Sequence, residues 1–306
     1  MKEKSILTVD DLVVSFHMYK GLFRKERLEV VHSLSLDVNR GEIVAVVGSS
    51  GSGKSLLAHA IMGLLPDNAA VSGRICYDGK ELTQKTRKAL LGKKMTFIPQ
   101  SVDYLDPVMK VGKQVIGVYS TKERQEELFE KYKLPKETEE MYPFQLSGGM
   151  ARRVLVSSAV TEMPQLLIAD EPTPGLGIEM AMDTLKHFRE IADQGAGVLL
   201  ITHDIDLAFS VADRIAVFYA GTILESAPTE DFLAGAKKLR HPYSKAFISA
   251  LPQNEFQAME GVQPHAACLP KGCLFADRCP NVTQECLEEI PMRSLRGGKV
   301  RCVHAT

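Results

Sequence analysis

The chain has no apolar run approaching the roughly 18 residues that a membrane-spanning helix needs, so any work at a membrane must go through partner chains. It has no excess of either charge. Lys and Arg number 37 against 38 Asp and Glu, a net charge of −1, which provides no bulk attraction for DNA or RNA. It has no internal repeat, no heptad run and no low-complexity segment, so solenoids and coiled coils are excluded. It has no apolar leader. Met1-Lys2-Glu3-Lys4-Ser5 runs directly into an alternating strand pattern, so a cytoplasmic rather than secreted protein is expected. Cysteine is nearly missing before residue 267, yet five of the six cysteines follow it. In a cytosolic chain such a cluster points to metal more than to disulfides. What remains is an ordinary globular balance in 306 residues, 45% of them hydrophobic, enough for one large domain or two modest ones.

The most informative stretch is Gly48-Ser49-Ser50-Gly51-Ser52-Gly53-Lys54-Ser55, which fits G-x-x-x-x-G-K-[ST]. Ahead of it, Ile43 to Val47 is an unbroken apolar run, the pattern of a strand buried on both faces. Behind it, Leu56 to Leu65 is apolar and rich in helix formers. Strand, glycine loop and helix together make a phosphate-binding loop. The glycines let backbone N–H groups curl around phosphates, and the helix N-terminus adds partial positive charge. Lys54 would reach the β- and γ-phosphates, and the Ser55 hydroxyl would ligate Mg²⁺.

Around this loop the chain divides by pattern. Ser5 to His17 and Val30 to Val38 alternate as strands, with the basic stretch Lys20 to Glu29 read as a hairpin tip or loop. From Gln100 to Met163 charged helical segments dominate, punctuated by Pro107, Pro135 and Pro143. Buried strands at Gln165–Asp170 and Gly197–Thr202 alternate with helices at Ala181–Asp193 and Ile205–Ala212. That alternation predicts a mainly parallel sheet. A hairpin is expected around Ala220-Gly221.

Five further motifs follow the loop in order: Phe97-Ile98-Pro99-Gln100, Leu146-Ser147-Gly148-Gly149-Met150, Leu166 to Asp170 followed by Glu171, Glu171-Pro172-Thr173-Pro174-Gly175-Leu176-Gly177, and Ile201-Thr202-His203-Asp204. In this order the chain resembles the ATP-binding subunit of an ABC transporter over roughly residues 5 to 253. The resemblance implies an α/β fold: a P-loop ABC-type ATPase core with a small antiparallel β subdomain, an inserted helical subdomain at about 101–163, and a Cys-rich C-terminal extension at 254–306. It implies ATP hydrolysis with Mg²⁺. Gly48, Ser49, Ser50, Gly51, Ser52, Gly53, Lys54 and Ser55 would hold the phosphates. Gln100 would touch Mg²⁺ and the attacking water, and Asp170 would hold the metal through water. Glu171 would be the general base and His203 would face the γ-phosphate. Phe16, with Tyr19 as runner-up, would stack on adenine. Ser147, Gly148 and Gly149 would close on the nucleotide of a partner subunit. The stretch Gly175-Leu176-Gly177 departs from the family by lacking an aspartate that normally crosses to the partner's loop, leaving one composite site in question unless Glu179 or backbone substitutes.

His241-Pro242-Tyr243-Ser244 and the cysteine region resemble the oligopeptide, dipeptide and nickel importer branch. Cys273, Cys279, Cys286 and Cys302 have the spacing C-x5-C-x6-C-x15-C. In the peptide branch such a tail can carry a [4Fe–4S] cluster. From the residues alone, four thiolates suit a [4Fe–4S] cluster or zinc, and ordinary thiols are the plain alternative. The resemblance further implies a second homologous ATPase as partner, two transmembrane permeases, an extracytoplasmic binding protein acting indirectly, and no nucleic acid. The location would be peripheral, on the cytoplasmic face of the membrane. Cargo stays open between peptide and nickel or a metal chelate. Soluble ABC ATPases of repair or translation are the rival reading; they carry long coiled coils or paired ATPase units, which this chain lacks.

Overall fold

Two alternating runs open the chain as a long hairpin, β1 (Ser5–Lys20) and β2 (Arg24–Asn39). In the computed structural model, residues 5–20, 24–49, 51–118, 120–254, 256–257 and 259–306 are described. The stretch Lys20 to Glu29, expected as a tip or loop, is instead mostly strand: Met18 pairs with Glu26 and Tyr19 with Lys25. β2 is the outer strand of its sheet, and charged side chains are at home on a solvated edge. Only the tip itself, residues 21–23, lies outside the described residues. β4 (Ala69–Tyr77) and β5 (Lys80–Glu81) complete a four-stranded antiparallel sheet in the order β2-β1-β4-β5.

The larger sheet is built on β3 (Ile43–Val47), β6 (Met95–Ile98), β7 (Leu166–Asp170), β8 (Gly197–Thr202) and β9 (Arg214–Tyr219), all parallel in the order β9-β3-β8-β7-β6. β10 (Thr222–Pro228) folds back antiparallel on β9 around Ala220-Gly221. Alternate residues of β3 feed two cores, which is why the run reads as unbroken apolar. Ile43, Ala45 and Val47 join one core with α6 (Ile178–Asp193) and α7 (Ile205–Val211), while Val44 and Val46 join the other with the antiparallel sheet and α1 (Lys54–Met62).

α2 (Gln84–Leu90) joins β5 to β6. Between β6 and β7 the chain forms α3 (Val111–Ile116), α4 (Lys122–Lys131) and α5 (Gly148–Val160). Val111, Val115, Leu128, Phe129 and Val154 bury their apolar faces in the first core, and Arg153 of α5 ties the segment together by donating to the carbonyls of Tyr132 and Lys133 at 3.0 and 2.7 Å.

After α8 (Thr229–Leu233) and α9 (Pro242–Ser249) the tail does something its sequence did not announce. β11 (Arg293–Leu295) and β12 (Gly298–Val300) form a hairpin whose β12 pairs with β10, so the large sheet runs on into the tail. Phe275 inserts beside Tyr219, Tyr243 and His241, with ring centroids 5.6, 5.3 and 5.9 Å away. Buried Arg240 fastens the hairpin. It pairs with Glu225 at 3.2 Å and Asp231 at 2.7 Å and donates to the carbonyl of Leu295 at 2.7 Å. Gly298 lets the chain pass this close, since a Cβ there would lie 2.9 Å from the guanidinium carbon.

Glu225 has no exposed surface and accepts from the backbone N–H groups of Arg240 and His241 as well as from the guanidinium. Removing one partner of a buried ion pair strands the other charge, which costs about 3–5 kcal/mol. Glu225→Ala is therefore expected to lower unfolding stability by about that amount. Urea titration read by circular dichroism measures it, and a loss below about 1 kcal/mol, the range of an exposed pair, would contradict the assignment.

Candidate functional site

The glycine loop leaves β3 at Gly48, where the backbone passes so close to β9 that a Cβ would meet the Phe218 carbonyl oxygen at 2.4 Å. Only glycine fits there. Lys54, at the start of α1, folds back over the loop, and its Nζ donates to the carbonyls of Gly48 and Ser49, both at 2.9 Å. Burial lowers the Lys54 pKa, against the pull of Glu171 and Asp170. Ser50 lies outside the described residues.

A cavity of about 250 Å³ opens at this loop, lined by Gly51, Gly53, Lys54, Ser55, Leu56, Gln100 and Glu171. Residues far apart in sequence thus converge because β3, β6 and β7 all end on the same edge of the parallel sheet. Asp170 closes β7 and is 1% exposed, and neither of its carboxylate oxygens has a hydrogen-bond partner. Burial pushes its pKa up, opposed by the neighbouring Ser55 hydroxyl, and Glu171 adds to the rise. A buried carboxyl with two vacant oxygens beside a serine hydroxyl is a donor set suited to a hard divalent cation such as Mg²⁺.

Glu171 follows in a left-handed conformation, φ 48°, which costs a non-glycine residue about 1–3 kcal/mol and is characteristic of functional positions. The backbone N–H of Glu171 donates to Ile201 at 2.9 Å, and its Oε1 lies 2.8 Å from Nδ1 of His203. With the carboxylate ionised, the ring N–H donates. His203, expected to face the γ-phosphate, is thus held on Glu171. Arg152 of α5 donates to the carbonyls of Pro99, at 2.9 Å, and Gln100, fixing the glutamine loop from behind. Its sequence signal was only its place in the helix after the Ser147-Gly148-Gly149 motif.

Ser147, Gly148 and Gly149 do not line the phosphate cavity. Ser147 caps α5, accepting from the Met150 N–H at 3.3 Å, and an added Cβ at Gly148 would meet nothing within 4 Å. Glu179, the alternative to the missing aspartate, is paired with Lys133 at 2.8 Å. Phe16 packs against the second core and lines neither cavity beside the loop, although its cross-strand partner Leu28 does line one. The side chain of Tyr19 lies outside the described residues.

In the tail, Cys273, Cys286 and Cys302 are buried, Cys279 is half-buried and Cys268 is exposed; all are free thiols. Burial pushes Cys273 up to about 11, with the sulfurs of Cys302, Cys286 and Cys279 close enough to add to the rise. Cys279 and Cys302 are also raised, chiefly by burial. Among the described residues, no three His, Cys, Asp or Glu side chains are already arranged to hold a metal ion. Nor, among them, is any helix long and apolar enough to cross a membrane.

A phosphate loop between a buried strand and a helix, with a carboxylate pair ending a nearby parallel strand, defines a P-loop nucleoside triphosphatase. Residues 31–174 match the model of the ABC transporter family, and residues 224–286 match the C-terminal region of oligopeptide/dipeptide transporters. The chain is 34% identical to the dipeptide transport ATP-binding protein DppD of Bacillus subtilis, over 96% of this chain and 92% of that one. It is 32% identical to the oligopeptide transport ATP-binding protein OppD of Salmonella typhimurium, over 97% and 92%. A solved dimeric ATP-binding cassette in a post-hydrolysis state with ADP and Pi shares the fold, with TM-score 0.64 and 23% identity over 73% of this chain and 98% of that one. The chain belongs to the family of ABC transporter ATP-binding proteins and is an ATPase that energises transport.

Proposed function

We propose that this chain drives a peptide importer, binding and hydrolysing ATP at the edge of its parallel sheet. The observation that most supports the peptide branch is the C-terminal match, which takes in Cys273, Cys279 and Cys286. In this reading the backbone N–H groups of residues 48–55 and Nζ of Lys54 neutralise the phosphates, Lys54 leaving the carbonyls of Gly48 and Ser49 to do so. Phosphoryl transfer is mostly positioning and charge neutralisation. Ser55 and Asp170 would hold Mg²⁺, with Gln100 beside them. When bound, the ion would supply charge neutralisation for the phosphates. Glu171 takes the proton of the attacking water, and His203 holds that carboxylate in place through Nδ1.

Ser147 and Gly148, exposed at the head of α5, and half-buried Gly149 beside them complete the site of a second ATPase across a nucleotide sandwich. With Gly177 in place of an aspartate, the natural partner is a homologous but different subunit. The pair works on the inner face of the membrane, attached to two permeases. The ATPase unit spans about 1–253, with 101–163 as its helical subdomain and 254–306 as the extension. In the extension, Cys273, Cys279, Cys286 and Cys302 would hold a [4Fe–4S] cluster, zinc being the alternative. The sulfurs of Cys302, Cys286 and Cys279 lie near enough to buried Cys273 to add to the rise of its pKa, which supports a common site.

The test is reconstitution in vesicles with the two permeases, the second ATPase and a peptide-loaded binding protein. Hydrolysis is expected to be slow for the chain alone and to rise at least about tenfold with peptide in the full assembly, the scale of a strong coupling between sites. Full turnover by the monomer, or stimulation by a nickel chelate and not by peptide, would reject the reading.

A further inference from the structure

The phosphate loop has a second hollow on its other flank. This cavity of about 340 Å³ lies between β2, the loop and the tail, with walls including Leu28, Val30 and Leu56 on one side and Gln263, His265 and Leu269 on the other. It shares Gly51, Gly53 and Leu56 with the phosphate cavity, so the two adjoin across the loop. A nucleotide whose phosphates lie in one must place its ribose and base in adjoining space. The second cavity has the apolar walls a planar base needs. Ser52, 6% exposed, also contributes to its lining.

The tail reaches this cavity by a direct bond. Ser49 Oγ donates to Oε1 of Gln263 at 3.1 Å, which leaves the Gln263 amide nitrogen as a donor. His265 Nδ1 accepts from the Ala267 N–H at 3.2 Å, so the proton of the neutral ring sits on Nε2. Both donors lie in a wall that would meet acceptors on a purine or ribose. Phe16, the expected base platform, is half-buried against the second core.

We propose that residues 263–269 form one wall of the nucleoside end of the ATP site, with Gln263 and His265 as specificity-determining residues for base and ribose. This rests on the ATPase reading. It makes the tail part of the nucleotide site, so that base binding and ordering of this segment reinforce each other.

The test compares two probes on the full chain by titration calorimetry with Mg²⁺: ATP, and inorganic tripolyphosphate, which has the phosphates without the nucleoside. The double variant Gln263→Ala/His265→Ala is expected to raise the ATP Kd about tenfold, as for one or two lost hydrogen bonds, and to leave tripolyphosphate unchanged. Ala266→Phe, which places a ring at the half-buried cavity wall, should show the same split. In the wild-type chain, ATP should slow amide exchange at 263–269 and tripolyphosphate should not. An unchanged ATP Kd in both variants, or equal losses for both probes, would overturn the proposal. A wild-type chain that binds neither probe would instead bring down the ATPase reading, and the wall with it.

Discussion

Glu171→Gln is expected to lower ATP hydrolysis in the assembled transporter by at least about a hundredfold, the lower end of what a general base contributes, while ATP binding persists. The amide keeps the size and shape of the carboxylate and can retain the left-handed backbone that Glu171 already adopts. What it loses is the ability to take a proton. It also changes the partner of His203 Nδ1, now 2.8 Å from the carboxylate, from an anion to a neutral amide. ATP and tripolyphosphate titrations establish that binding survives; single-turnover hydrolysis measures the chemistry. Near-normal turnover with intact binding would move the base elsewhere.

Cys279→Ser is expected to have the second large effect, on the tail. Purified without oxygen, the wild-type chain should be brown and carry about four iron and four sulfide per chain. The variant should be bleached, and residues after about 260 should lose protection from amide exchange. The sign of the pH dependence follows from the thiols. Burial holds Cys273 up at about 11 and raises Cys279 and Cys302, so each is protonated at neutral pH and must release its proton to ligate. Uptake by the metal-free chain should therefore strengthen as pH rises and fail as pH falls. Stoichiometric zinc would keep the site and reject the cluster. Full metal content in the variant would remove Cys279 from it.

Much of this was legible in the sequence because it is local. The β3 run, the glycine loop and α1 are consecutive, and their pattern fixes which strand is buried and where phosphate can sit. Gly197 to Thr202 reads as a strand and is β8, with the same bounds. What was not legible depends on partners distant in the chain. β11 and β12 are three residues each and carry Arg293 and Lys299; no periodicity marks them, and they are strands because the outer side of β10 is there to pair with. Gln263 lies in a stretch without regular structure, and its bond to Ser49 spans 214 positions. The basic stretch Lys20 to Glu29 reads as a hairpin tip or loop because charge is a weak guide on an edge strand, where one face is always wet.

The β11–β12 hairpin has a consequence for how the molecule keeps to itself. β10 is a strand of seven residues, six of them buried, and without the hairpin one side of it would offer unpaired N–H and C=O groups at the edge of the large sheet. Such a border is a template for joining another chain. In the intact protein the border ends instead at β11, which is short and exposes Arg293 and Ser294. The tail thus covers one side of β10, and a chain shortened to its ATPase part is expected to self-associate more readily than the full chain.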